Sequence, residues 1–202
     1  MTIEAVVFDI GGVLVRTTDW SGRQRWEKQL GLPERGLSDL VFSSHQALLA
    51  STGRGDDKAI WRHVADTLHL SSEQLIELQR DFWSGDTADT DLIAFVRSLR
   101  PRLKTGILSN AWPEMQQLNE LRFGLRDAVD HTIYSFQIGV LKPAPEAFLA
   151  LVVALNVRPQ NILFVDDVLA NVDGARRVGL GAIHFTDAAL AMDDIRVQIQ
   201  HA

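Results

Sequence analysis

One carboxylate, Asp9, leaves the apolar run Ala5-Val6-Val7-Phe8 and is followed almost at once by two glycines, Gly11 and Gly12. Three more polar segments stand at or near the ends of apolar runs. They are Ser109-Asn110 after Thr105-Gly106-Ile107-Leu108, Lys142 in Gly139-Val140-Leu141-Lys142-Pro143, and Asp166-Asp167 after Ile162-Leu163-Phe164-Val165. A carboxylate, a hydroxyl and amide donor pair, an ammonium and an acidic pair suit phosphoryl transfer. The carboxylate attacks phosphorus and forms an acyl-phosphate, dividing one hard displacement into two easier ones. Two anions approach each other only when a divalent ion bridges them. Mg²⁺ takes oxygen ligands and keeps several waters, so Asp9, Asp167 and the Gly11 carbonyl make a sufficient protein set. Lys142 then neutralises phosphate charge, Ser109 and Asn110 hold its oxygens, and Gly11 and Gly12 let backbone N–H groups come close.

These segments need a frame that brings them together. Short Val/Ile/Leu-rich runs predict strands at 4–9, 103–108, 131–135, 161–166 and 180–185, and helical periodicity marks 91–100, 113–122, 145–156, 169–178 and 188–200. Alternating strands and helices imply an α/β fold, a doubly wound parallel sheet with helices on both faces. Ligands of such sheets bind beyond the carboxyl ends of the strands, where all four segments fall. The stretch 16–88 breaks the alternation. It shows helical patterning near 20–30, 36–50, 56–69 and 72–83, no convincing strand, and a helix start at Ser71-Ser72-Glu73. The expected organisation is a core of 1–15 and 89–202, with 16–88 a helical cap inserted after the first strand.

Composition narrows the function classes. The 202 residues are 46% hydrophobic and 23% charged, with a formal net charge of −6, which argues against a nucleic-acid or anionic-membrane surface. There is no cysteine, so disulfides, thiolate nucleophiles and cysteine zinc sites are excluded. The first strand begins almost at the N-terminus, and the longest apolar run, Ala147 to Leu155, falls far short of a membrane span. The expectation is a cytoplasmic protein that binds a small phosphorylated metabolite; its oligomeric state is not legible.

In this order the four segments resemble the haloacid dehalogenase superfamily of hydrolases, in the branch with a helical cap after the first strand. Val7-Phe8-Asp9-Ile10-Gly11-Gly12-Val13-Leu14 is similar to its first motif and Leu108-Ser109-Asn110 to its second. Lys142-Pro143-Ala144-Pro145-Glu146-Ala147-Phe148 is similar to its lysine motif, and Phe164-Val165-Asp166-Asp167 through Asn171 to its fourth. The resemblance implies that Asp9 is the nucleophile and that Asp167 and the Gly11 carbonyl bind Mg²⁺, with Asp166 and Asn171 in support. It also implies that Ser109, Asn110 and Lys142 hold the phosphoryl group, and that the first strand lies between the second and fourth.

The chain departs from the family at Gly11, where phosphatases usually carry a second Asp that protonates the leaving oxygen. Three readings follow. The first is a phosphatase, similar to sugar-phosphate phosphatases, in which a good leaving group, a polarised water or a cap acid compensates. The second is a 2-haloacid dehalogenase-like hydrolase, whose halide leaves unprotonated. The third is a catalytically weak protein that binds a phosphorylated ligand. Thr17, Thr18, Asp19 and Arg23 are candidates for substrate contacts, Asp19 also for the missing acid. Trp20 and Trp112 are candidates for pocket walls, whereas Trp26, Trp61 and Trp83 are expected inside the cap. The histidines, His45, His63, His69, His131, His184 and His201, show no metal-ligand spacing.

Overall fold

The computed structural model of the protein describes residues 2–200; residues 1, 201 and 202, and with them His201, lie outside it. In chain order the elements are β1 (Ala5–Phe8), β2 (Val15–Thr17), α1 (Ser21–Leu30), α2 (Gly36–Phe42), α3 (His45–Ser51), α4 (Lys58–Leu68), α5 (Ser72–Ser84), β3 (Asp86–Ala88) and α6 (Thr90–Ser98). There follow β4 (Lys104–Ser109), α7 (Pro113–Gln117), β5 (His131–Tyr134), α8 (Ser135–Ile138), α9 (Pro145–Leu155), β6 (Ile162–Asp166), α10 (Leu169–Arg177), β7 (Gly181–His184) and α11 (Ala188–Gln200).

Five strands form one parallel sheet in the order β5-β4-β1-β6-β7. The alternation of side chains along each strand divides the core. Val6 and Phe8 face Leu92, Val96, Ala191 and Ile195 of α6 and α11, whereas Ala5 and Val7 face Phe148, Leu151 and Leu155 of α9 and Ala175 of α10. With both faces covered, β1 is buried along its whole length, as an apolar strand at the centre of a parallel sheet requires. Each large apolar side chain removed from water there stabilises the fold by about 1.5–3 kcal/mol before entropic costs. The register sets Phe8 beside Ile107 and Val165. The residues that leave β1, β4 and β6 therefore emerge at the same end of the sheet.

Helices α1 to α5 build a separate apolar cluster around Trp26, Leu37, Ile60, Trp61, Leu78 and Phe82, which Trp112 joins from the loop after β4. The Ser71 start is a full capping box: Gln74 N donates to Ser71 Oγ (3.3 Å) and Ser71 N to Gln74 Oε1 (2.9 Å). The helix expected over 36–50 is two helices. Ser44 caps the second, its Oγ accepting from Ala47 N at 3.1 Å, and a serine so engaged ends one helix and begins another.

The expectation of no strand between 16 and 88 needs correction at both ends of that stretch. β2 and β3 pair antiparallel, Val15 with Ala88, Arg16 with Thr87 and Thr17 with Asp86. Three-residue strands carry no readable periodicity, and their partners lie far apart in sequence. Just beyond the ribbon, Thr18 N (3.0 Å) and Asp19 N (3.3 Å) both donate to Gly85 O. A Cβ on Gly85 would lie 1.7 Å from Asp19 O, so the two chain passages meet only because glycine stands there. The helix expected over 113–122 also divides, α7 giving way to a π-helical turn at Leu118–Arg122. Among the described residues no helix is long and apolar enough to cross a membrane.

Candidate active site

Asp9 is the first residue past β1, fixed by its N–H to Val165 O at 2.9 Å. Asp166 ends β6, and Lys142 reaches in from the loop before α9. The Lys142 Nζ lies 2.8 Å from Asp9 Oδ1 and 2.7 Å from Asp166 Oδ2. All three side chains are buried. Asp166 has both oxygens engaged elsewhere as well. Val168 N donates to Oδ1 (2.8 Å), and Asn171 Nδ2 lies 3.0 and 3.1 Å from the two oxygens. Asp166 and Asn171 thus hold the ammonium in place. Asn110 holds the Lys142 backbone: its Nδ2 donates to Lys142 O (3.0 Å), and Lys142 N donates to its Oδ1 (2.8 Å). One amide N–H of Asn110 is left for another acceptor.

Asp167 differs from its neighbour. Its Oδ1 is buried with no hydrogen-bond partner. Its other oxygen would lie 2.0 Å from a Cβ at residue 12, where φ is +80°, so Gly12 both makes the turn and leaves room for this carboxylate. Oxygens of Asp9, Asp166 and Asp167 lie within 4.8 Å of one another. Burial, with Asp166 adding to it against the pull of Lys142, pushes the Asp9 carboxyl up to about 6. Burial and the Asp166 charge raise Asp167 as well. A hard divalent cation fits this donor set, because it would give the orphaned oxygen a partner and offset the crowded negative charge. No histidine joins this acidic group among the described residues; His184 touches only the Asp167 carbonyl, at 3.0 Å. Mg²⁺ at a hundred times its Kd is therefore expected to stabilise the protein by about 2.7 kcal/mol. Thermal unfolding of Asp167→Asn should show that rise abolished; a rise that survives would put the cation elsewhere.

From the acids a cavity of 690 Å³ runs between the sheet end and the helical block. Asp9, Gly11, Gly12, Ser109, Asn110, Lys142 and Asp167 line its floor, and Trp20, Phe42, Trp83, Met115 and Phe123 its walls. Thr17 and Arg23 also line it, with an acid the sequence did not suggest, Asp86. Arg23 Nη2 pairs with Asp86 Oδ1 at 3.0 Å, Thr17 Oγ1 donates to the same oxygen at 2.6 Å, and Arg23 Nε donates to Phe82 O at 2.9 Å.

Other expected residues fall elsewhere. Thr18 and Asp19 are not on the cavity, and Asp19 Oδ1 accepts from Ser21 N at 2.9 Å. Hydrogen bonds from Ser21 hold that carboxyl below the usual range, the wrong direction for an acid that donates a proton. Trp112 is buried in the helical cluster, and Trp83, expected wholly inside it, also reaches the cavity wall. Asn119, on the π-helical turn, lines the cavity too, and nothing in the sequence pointed to it.

A family model described as haloacid dehalogenase-like hydrolase matches residues 3–179. The chain is 31% identical to a phosphatase of Mycobacterium tuberculosis, over 90% of its own length and 87% of that protein's. It is 22% identical to mouse bifunctional epoxide hydrolase 2, where it spans 38% of the longer protein. Among solved structures, a HAD family enzyme of Bacteroides thetaiotaomicron in complex with magnesium and inorganic phosphate superposes with a TM-score of 0.75 at 18% identity. That match covers 91% of this chain and 94% of the other. An L-2-haloacid dehalogenase of Xanthobacter autotrophicus, with chloropropionic acid covalently bound, superposes with a TM-score of 0.65 at 28% identity, covering 98% and 84%.

Proposed function

This chain belongs to the haloacid dehalogenase-like hydrolases, and from that membership we propose that it is a Mg²⁺-dependent phosphatase that hydrolyses a small phosphate monoester through Asp9. The observation that carries the reading is the unpartnered Asp167 oxygen beside Asp9, with a buried lysine facing the same floor. The phosphatase nature of the Mycobacterium relative and the magnesium and phosphate in the Bacteroides enzyme support it.

Asp9, Asp167 and the Gly11 carbonyl would hold Mg²⁺, while Asp166 keeps Lys142 in place. When bound, Mg²⁺ screens the attacking carboxylate from the phosphate. Lys142, Ser109 and the free amide N–H of Asn110 hold the phosphoryl oxygens, and Lys142 stabilises charge that spreads over them. An Asp9 oxygen attacks phosphorus as the ester oxygen departs, taking a proton from water. A second water then opens the aspartyl-phosphate, releasing inorganic phosphate and the free carboxylate. Residues 16–88 act as the cap that walls the cavity and excludes bulk water during these steps.

Among the described residues no cavity acid replaces the one missing at Gly11. Asp9 and Asp167 serve at the floor, and Asp86 is tied to Arg23 and Thr17. The rate of phosphate release is therefore expected to depend steeply on the leaving group, whichever skeleton the cavity binds. The same gap favours a second reading, halide displacement, which needs no proton donor. Against it stands the acidic cluster, which is electrostatically costly without a cation.

A panel of acyl, aryl and alkyl phosphates, assayed with Mg²⁺ and after chelation, tests the reading. Phosphate release that chelation abolishes is expected, fastest for acyl and aryl esters. Halide release from 2-chloropropionate without Mg²⁺, with no phosphate release, would establish the second reading instead. A Cβ on Gly11 meets nothing within 4 Å, so an acid fits there. Gly11→Asp is expected to speed alkyl phosphates by about 10²–10⁴-fold, the usual worth of general acid catalysis, and acyl phosphates little. Unchanged selectivity would sink this account of the gap.

A further inference from the structure

Two buried hydrogen-bond donors belonging to residues that line the cavity are left without partners. Asn119 is 4% exposed and Trp83 8%, and both line the cavity that begins at Asp9. Neither Asn119 Nδ2 nor Trp83 Nε1 finds an acceptor among the described residues. Buried donors are almost always satisfied, and leaving one bare is costly. An indole N–H can only donate, so what completes it is an acceptor oxygen.

The two donors belong to different parts of the molecule, yet one residue fixes their relation. Arg122, three residues after Asn119 on the π-helical turn, donates from Nη1 to Trp83 O (2.6 Å) and from Nη2 to Ser84 O (3.2 Å) and Asp86 O (3.1 Å). These are carbonyls at and just past the end of α5, which Arg122 both satisfies and anchors. The π-helical turn, a local departure from α-helix of the kind often found at functional sites, thus carries one donor and holds the backbone of the other.

The charges around them say what kind of group is taken. Each cation that lines the cavity is already matched: Lys142 with Asp9 and Asp166, Arg23 with Asp86, and Arg16 with Asp89. Among the described residues that line the cavity, none is a cation without an acidic partner. Trp20, Phe42 and Phe123 line the same cavity, and the Phe42 ring lies edge-on to that of Trp83 with centroids 6.0 Å apart.

We propose that Trp83 Nε1 and Asn119 Nδ2 form the specificity subsite of this cavity, accepting the oxygens of an uncharged, hydroxylated organic group whose apolar face lies against Trp20, Phe42 and Phe123. The inference deepens the phosphatase reading, on which it rests for the phosphate end of the ligand. Aromatic walls and lone donors together favour a polyol or cyclitol skeleton over a plain hydrocarbon, and over a nucleotide or diacid carrying further charge.

Two matched pairs of esters test it: cyclohexyl phosphate against inositol 1-phosphate, and hexyl phosphate against sorbitol 6-phosphate. Calorimetry on Asp9→Asn protein with Mg²⁺ measures binding without turnover. In at least one pair the hydroxylated ester is expected to bind about tenfold tighter, the worth of one or two neutral hydrogen bonds. Adding Trp83→Phe, which keeps an aromatic ring, or Asn119→Leu, which keeps the volume, should bring that pair to within about twofold of equality. Inorganic phosphate should bind either variant as before, showing that the fold is intact; should one variant fail to fold, the other carries the test.

No preference in either pair, a preference that both variants leave untouched, or equal losses on both members of a pair would overturn the subsite. Failure of the phosphatase reading looks different. There, the protein with Asp9 intact releases no phosphate from any ester while the binding preference and its dependence on Trp83 and Asn119 persist. Turnover of both members of each pair with equal affinities removes the subsite and leaves the phosphatase.

Discussion

Replacing Asp9 by Asn is expected to abolish phosphate release, by roughly 10⁴-fold or more in kcat, as loss of a nucleophile does, and at the same time to make the metal-free protein more stable at pH 8. The second effect follows from the raised carboxyl. Its pKa moves from 3.8 to about 6 on folding, burial being the main cause. A group raised in this way contributes stability below its unfolded pKa and loses that contribution as pH rises through the folded value. Between 3.8 and about 6 the carboxylate therefore becomes a burden that an amide does not carry. At 1.36 kcal/mol for each pKa unit the gain is about 2–3 kcal/mol at pH 8 and near zero at pH 4. The carbonyl oxygen of the Asn can still face Lys142, which also keeps its partner Asp166. Urea unfolding in chelator at the two pH values measures the gain. An Asn variant that is inactive and also less stable at pH 8 would mean that Asp9 holds the fold, and the loss of activity would then say nothing about a nucleophile.

Lys142→Met is expected to act in the opposite direction on stability. The ammonium side chain is 1% exposed and bridges Asp9 and Asp166, of which Asp166 is completely buried. Removing it leaves two carboxylates in the interior without a cation, and breaking a buried pair from one side costs about 3–5 kcal/mol. Phosphate binding should be lost as well, since this is the cation on the cavity floor. The double variant Lys142→Met/Asp166→Asn should recover part of the loss, because it also removes the stranded charge. A single variant within 1 kcal/mol of the parent in urea unfolding would show that the floor does not depend on the lysine.

The sheet was legible because its strands are short runs of Val, Ile, Leu and Phe buried on both faces, a pattern that depends on local sequence alone. Asp9, Ser109, Asn110, Asp166 and Asp167 were legible because each stands at or just past the end of such a run, and parallel pairing brings those ends together, whereas Lys142 joins them from the loop before α9. The walls of the cavity were harder to read. Asp86 reaches Arg23 and Thr17 only through the β2–β3 pairing, a three-residue match across the whole helical block. Asn119 sits in what reads as an unbroken amphipathic helix, and nothing in residue type announces a π-helical turn. Trp83 shares the apolar character of Trp26 and Trp61. That it also reaches the cavity depends on how α5 ends against Arg122.

The two passages of chain at Gly85 form a stem. With Thr18 and Asp19 bonded to Gly85, and Thr17 paired with Asp86, the helical block leaves and re-enters the core at nearly one point. To the parallel sheet, the block is a closed loop, and the entropy of closing a loop grows only slowly with its length, by about 0.6 kcal/mol for each doubling. Lengthening or shortening the block thus costs the core almost nothing, provided the stem is kept. The acids at the sheet end and those cavity walls that the helical block contributes, Trp20, Phe42 and Trp83, are consequently free to change at different rates, with a glycine and a three-residue ribbon marking the border between them.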